Sequence, residues 1–378
     1  MKKSIKLFNA EGRVDTSLLI LIILLAFFGS IIVFSAGYAY AYARYGDSMY
    51  FVKKQSVWLI IGLIIFWLAS KIPTNIYKKT TPYFYAATLV LLLAVLLLGF
   101  VGNGAKRWIA IGPFTLQPSE IAKLTLILML AKYFSDNEER VFRKERRSIF
   151  LNSTIIPILI MVVPIILVML QKHLSCIIIL SLIGVSMIII SGVDLRYISL
   201  FSFIGGLGIS ALAIFTDYTK ERITVWQNPE AYKLTGGWQT LQGLMAIGSG
   251  GLFGVGLGKS VMKHCYVSEP ANDMIFAILC EELGFVGAIF TLTLFFLLIF
   301  QGIKASMRAE DTFSRLVGLG ISIKMAIQVL LNIAVVTNSI PNTGISLPFF
   351  SYGGSSLIML FFEMGILLSV TRRSKILK

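Results

Sequence analysis

Asp273 is the last polar residue before an apolar run in "EPANDMIFAILC", within a chain that is 56% hydrophobic and 14% charged. A carboxylate at such a boundary is either a helix cap or a chemical group. Partial loss of water raises its pKa and a nearby cation lowers it, which is how a general base is tuned. Lys106 and Arg107 precede Trp108 beside an apolar segment. They read as an interfacial anchor or as a clamp for phosphate or pyrophosphate. Glu120 and Lys123 in "QPSEIAK" are three apart and share a helical face, with Pro118 and Ser119 opening the helix. Charges so deep in apolar sequence pair together or face a cavity, and the spacing favours a polar, water-accessible one.

Lys324, Gln328 and Asn332 recur every four residues. That stripe either bonds neighbouring helices or lines the same cavity, and Lys324 is near enough to a helix end to snorkel. Glu281 and Glu282 follow Asp273 by about two helical turns and suit a buried hydrogen-bonding role as well as a catalytic one. "GVGLGKS" at 254–260 is one residue short of the phosphate-binding G-x-x-x-x-G-K-[ST] loop, so its glycines read as close backbone packing. His173 and His264 have no ligand partners at metal spacing and read as ordinary loop residues. The three cysteines show no paired spacing, which leaves neither a disulfide framework nor a zinc site.

The elements that must position these residues are membrane spans. Mean hydropathy is +0.82, and about 20 apolar residues suffice to cross a bilayer. Ten segments qualify: 17–38, 56–71, 83–101, 119–134, 150–170, 174–193, 196–216, 274–300, 314–338 and 346–370. The fold class is therefore an all-α polytopic membrane protein of about ten transmembrane helices, a single integral membrane domain over 1–378. The first span reads as retained rather than as a signal peptide. Lys and Arg concentrate on the side that holds both termini, which is therefore cytoplasmic. The net charge of +15 is largely that bias plus attraction to anionic lipid, not a nucleic-acid footprint. The largest outer loop, approximately 217–273 between spans seven and eight, should be folded. Two further outer loops, 102–120 and 337–356, carry most of the remaining unusual chemistry.

Five motifs, "GAKRWI" (104–109), "QPSEIAKL" (117–124), "IGSGGLFGVGLGKS" (247–260), "EPANDMIFAILCEELGFVG" (269–287) and "GISLPFFSYGGSS" (344–356), run in order along the chain. In these the sequence resembles the SEDS family of peptidoglycan glycosyltransferases, the RodA, FtsW and SpoVE type, with a lean toward FtsW and SpoVE. The resemblance implies polymerisation of lipid II into glycan strands on the outer face of the bacterial cytoplasmic membrane. It implies Asp273 as catalytic base, and Lys106, Arg107, Glu120 and Lys123 as residues of the substrate cavity. Lys54 stands where members commonly have Arg, keeping the charge without the bidentate fork. Gln328, Asn332 and Ser351 are candidate polar residues of that cavity. A class B penicillin-binding protein is the implied transpeptidase partner. An activated pyrophosphate leaving group needs positive charge, from Lys, Arg or a divalent cation such as Mg or Mn, for which no protein ligand cage is visible. One departure is plain: many members carry Pro-Asp-x-Gly after the fifth span, whereas here the stretch reads Gln171-Lys172-His173-Leu174-Ser175. The competing readings are a lipid II flippase and a non-catalytic scaffold of the cell-wall machinery.

Overall fold

A computed structural model describes residues 14–102, 105–112, 114–138, 152, 154–193 and 217–372. The expected seventh span, 196–216, lies outside them. In hydrocarbon the backbone must satisfy its own hydrogen bonds, and the apolar runs accordingly fold as helices. These are α1 (Thr16–Tyr45), α2 (Tyr50–Lys71), α3 (Thr74–Leu98), α4 (Pro118–Asp136), α5 (Ile156–Leu170) and α6 (Leu174–Ile190). After two short helices, α7 (Asp217–Gln227) and α8 (Gly237–Ser249), come α9 (Ile275–Met307), α10 (Thr312–Val336) and α11 (Gly354–Thr371). Six, namely α1, α2, α3, α9, α10 and α11, are long and apolar enough to cross a membrane. The chain is a multi-pass membrane protein.

Two features depart from the sequence reading. The first is an addition to an otherwise helical fold: residues 100–116 form a small antiparallel sheet, ordered β1 (Phe100–Gly102), β2 (Ala105–Ile111), β3 (Phe114–Leu116). A tight turn at Gly112, with φ 58°, makes the β2–β3 hairpin. The second concerns the last span, expected over 346–370, whose helix starts only at Gly354. Pro341 and Pro348 lack donors, and Asn338, Gly344 and Phe349 take positive φ, so 337–353 folds back as irregular chain. It is nevertheless deep in the protein: Leu347, Phe349 and Phe350 are all buried.

The large loop is folded, as expected, and α9 shows how it is held. At Gly284 (φ 66°, ψ −166°) the helix opens. The freed backbone bonds the loop instead: Val255 and Gly256 donate to the carbonyls of Glu281 and Glu282, while Phe285 and Val286 donate to Gly251 and Leu252. Both carboxylates face that loop. Glu281 accepts from the amides of Val261 (2.8 Å) and Met262 (3.3 Å) and from Ser260 Oγ. Glu282 accepts from Lys263 Nζ at 2.6 Å and Ser35 Oγ at 2.5 Å. Their role is structural, and the glycine run packs as backbone against backbone.

The re-entrant segment rests on α1 at Gly29, where an added Cβ would lie 2.3 Å from the Phe349 carbonyl oxygen. Overfilling such a contact costs about 1–3 kcal/mol. Gly29→Val should therefore lower the midpoint of thermal unfolding in detergent, whereas Ser30→Ala, one residue along, should leave it within a degree or so.

Candidate active site

A cavity of about 810 Å³ opens among the ends of these helices. It is lined from β2 by Arg107 and Trp108, from α4 by Glu120 and Lys123, from α2 by Lys53 and Lys54, and from α7 and α8 by Arg222 and Gln239. The loop before α9 adds Glu269 and Asp273, and the re-entrant segment adds Ser351 and Tyr352. Five cations (Lys53, Lys54, Arg107, Lys123, Arg222) face three carboxylates (Glu120, Glu269, Asp273), so the cavity favours an anionic guest.

Asp273 is positioned through its backbone. Three successive carbonyls each receive a donor from elsewhere in the fold. Tyr352 N reaches Ala271 O (2.8 Å), Ser351 Oγ reaches Asn272 O (2.7 Å), and Asn332 Nδ2 reaches Asp273 O (3.0 Å). Asn332 Nδ2 also holds Ile345 O at 2.6 Å, and Ser351 Oγ accepts from Leu347 N at 2.7 Å. The Asp273 side chain keeps one contact with another residue, from Gln239 Nε2 to Oδ2 at 3.2 Å, while Oδ1 has no partner. Burial away from water pushes its pKa up to about 6 from 3.8, against a hydrogen bond from its own backbone amide, with the Glu269 charge adding to the rise and the Gln239 hydrogen bond opposing it.

Of the residues read from the sequence, Asp273, Arg107, Glu120, Lys123, Lys54, Gln328 and Ser351 line the cavity. Three readings need correction. Lys106 does not line it: adjacent strand residues face opposite sides, and Lys106 is exposed while Arg107 turns inward to donate to Lys172 O at 2.8 Å. Asn332 is fully buried behind the cavity and serves as backbone glue. Lys324 does not snorkel. It is buried against Glu363 at 2.5 Å, a partner on α11 that the sequence reading passed over. Glu120 and Lys123 do pair, at 2.7 Å. Lys54 rests on Tyr50, with Nζ 4.2 Å from the ring centroid. Sequence reasoning missed Arg222 and Gln239, which sit on helices of the folded loop, and His173, read as an ordinary loop residue but buried in the cavity wall. Among the described residues no group of three His, Cys, Asp or Glu side chains could hold a metal ion.

Comparisons with known proteins identify the family that the chain resembles along its length. The profile of the FtsW, RodA and SpoVE family, described as cell cycle protein, matches residues 15–376. Stage V sporulation protein E of Bacillus subtilis is 37% identical over 96% of this chain and 98% of its own. A probable peptidoglycan glycosyltransferase FtsW of Geobacter sp. is 33% identical over 97% of this chain and 99% of its own. Among solved structures, a chain of a peptidoglycan synthase complex, described for its structural coordination of polymerization and crosslinking, superposes with a TM-score of 0.78. It is 25% identical and covers 95% of this chain and 98% of that one.

The raised pKa of Asp273 has a consequence for stability. A carboxyl with a higher pKa folded than unfolded favours folding at low pH, and that contribution is lost as pH rises through the folded value. Asp273→Asn should therefore stabilise the protein above about pH 6 by up to ~3 kcal/mol, less whatever water reaches the half-buried carboxylate. The gain should vanish below about pH 4. Thermal unfolding of both proteins across that range measures it, and a pH-independent difference would refute the assignment.

Proposed function

We infer that this chain, which belongs to the FtsW, RodA and SpoVE cell cycle protein family, is a peptidoglycan glycosyltransferase. The substrate class is lipid II, a disaccharide-pentapeptide on an undecaprenyl pyrophosphate. The single observation that supports the reading is Asp273: a carboxylate that lines a cation-rich cavity, with one oxygen unbonded and a pKa raised to about 6. The Asp273 carboxylate takes the proton of the acceptor sugar hydroxyl. The acceptor oxygen then bonds the donor's anomeric carbon as the bond from that carbon to the pyrophosphate oxygen breaks. Charge developing on the leaving group is met by Arg107 and by Lys123 with its partner Glu120, an electrostatic arrangement already in place before reaction. No second, proton-donating carboxylate of the glycosidase kind is required, because pyrophosphate is an activated leaving group. A divalent cation such as Mg or Mn, held by the pyrophosphate of the substrate, would supply further positive charge to the leaving group.

The orientation belongs to the same proposal. Nine described helices coincide with nine of the ten apolar segments, and the excess of Lys and Arg supports both termini in the cytoplasm of a bacterial cell. The cavity then opens on the outer face of the cytoplasmic membrane, where lipid II is polymerised. The partner is a class B penicillin-binding protein that crosslinks the strand, a reading supported by the likeness to a synthase complex that couples the two activities.

Removal of a general base lowers a rate by about 10²–10⁴-fold. Purified Asp273→Asn, assayed on lipid II together with its transpeptidase partner, should lose strand formation to that extent while remaining folded. With the unmutated protein the rate should rise across about pH 6 and then level, as Asp273 deprotonates. Strand formation by the Asn variant at the full rate would remove Asp273 from the chemistry.

A further inference from the structure

The turn between α5 and α6 is built to hold one side chain against the cavity, and the scheme above leaves that side chain unused. Gln171 Nε2 donates to Leu92 O at 3.0 Å, Lys172 takes a positive φ of 55°, and the Lys172 carbonyl accepts from Arg107. The His173 carbonyl starts α6, accepting from the amides of Cys176 (3.1 Å) and Ile177 (3.2 Å). Its ring is 8% exposed and lines the cavity, with Nδ1 3.4 Å from Ser119 Oγ.

The groups around it come from three elements. Arg107 approaches from β2, Glu120 and Lys123 from the start of α4, and Cys176 from α6, with Lys172 adjacent in the turn. Burial away from water, followed by the charges of Arg107 and Lys123, holds the imidazole well below its usual pKa. The ring is therefore neutral beside two cations. Arg107 also has a buried Nε with no acceptor. Both features are unfavourable until an anion arrives, and a pyrophosphate reverses the field that keeps the ring neutral.

We propose that His173 is a pyrophosphate-binding residue, completing with Arg107 and Lys123 a subsite for the diphosphate of a lipid-linked sugar. It donates an imidazole N–H to a phosphate oxygen, binds one proton from solvent as the diphosphate enters, and returns it to solvent on release. The inference deepens the glycosyltransferase reading and rests on it.

The chain has two histidines, so ¹⁵N-histidine labelling of the full-length protein in nanodiscs gives two imidazoles, and His173→Gln identifies the one of interest. Undecaprenyl pyrophosphate is the probe. Near pH 6.5, close to the ordinary histidine pKa of about 6.5, the His173 signal should be that of a neutral ring without the probe and of an imidazolium at saturation. Calorimetry in buffers of different ionisation enthalpy should show close to one proton bound per diphosphate. His173→Gln should abolish that uptake and weaken binding about tenfold, the worth of one charged hydrogen bond, with its unfolding midpoint unchanged. A ring that stays neutral at saturation, or a Gln variant with undiminished affinity and proton uptake, overturns the subsite. If the subsite fails in this way while lipid II is still polymerised, the glycosyltransferase reading stands. If neither probe nor lipid II is bound or polymerised, both readings fall.

Discussion

The site depends on irregular backbone being satisfied inside an apolar protein. Residues 271–273 are not helical, and each exposed carbonyl in such surroundings would cost several kcal/mol, about 2–7 by transfer estimates. The fold meets that demand with three donors from separate elements, Tyr352 N, Ser351 Oγ and Asn332 Nδ2. Because α10 and the re-entrant segment are tied to the same turn, the position of the Asp273 backbone is fixed by the packing of the whole bundle. The carboxylate can then remain nearly unbonded, held by geometry that is enforced elsewhere.

The buried carboxylates divide accordingly. Glu282 and Glu363 each have a lysine within 2.6 Å, Glu120 has one at 2.7 Å, and Glu281 is filled by two amides and a hydroxyl. Breaking any of these would strand a buried charge, which costs about 3–5 kcal/mol. They are fastenings: Glu281 and Glu282 bind the large loop to the opened turn of α9, and Glu363 joins α11 to α10 through Lys324. Asp273 differs in having one neutral side-chain donor and an oxygen without a partner. A group left so incompletely satisfied is a better candidate for chemistry than the more heavily charged stretch that follows it.

Much of this was legible in the sequence, for identifiable reasons. Apolar runs dictate helices, so nine elements could be placed, and the i, i+3 spacing of Glu120 and Lys123 is local geometry that survives folding. What depends on long-range contact was not legible. Glu363 lies 39 residues from Lys324, and nothing in its own neighbourhood announces the pair. Arg222 and Gln239 look like solvated loop residues until α7 and α8 fold over the cavity. The inward turn of Arg107 and outward turn of Lys106 require knowing that the segment is a strand rather than a loop. His173 illustrates the same limit: a lone histidine in a short turn acquires meaning only from the cations that other elements bring to it.

A base and a cationic clamp in one cavity raise a problem that the hydrogen bonds resolve. An arginine beside an aspartate lowers the aspartate's pKa by about 1–3 units, which here would return Asp273 to its ordinary value and make it a poor base at neutral pH. The structure withholds that collapse by giving the cations other work. Arg222 donates to the Asn342 carbonyl, Lys123 is matched by Glu120, Lys53 by Asp47 at 2.8 Å, and Arg107 is turned toward the Lys172 carbonyl. The Arg222 charge consequently lowers the Asp273 pKa less than burial and Glu269 raise it. The cavity can thus be cationic overall, attracting a pyrophosphate, while the carboxylate within it stays basic enough to take a proton from a sugar hydroxyl. Separation of those two functions is achieved by assigning each positive charge a neighbour other than the base.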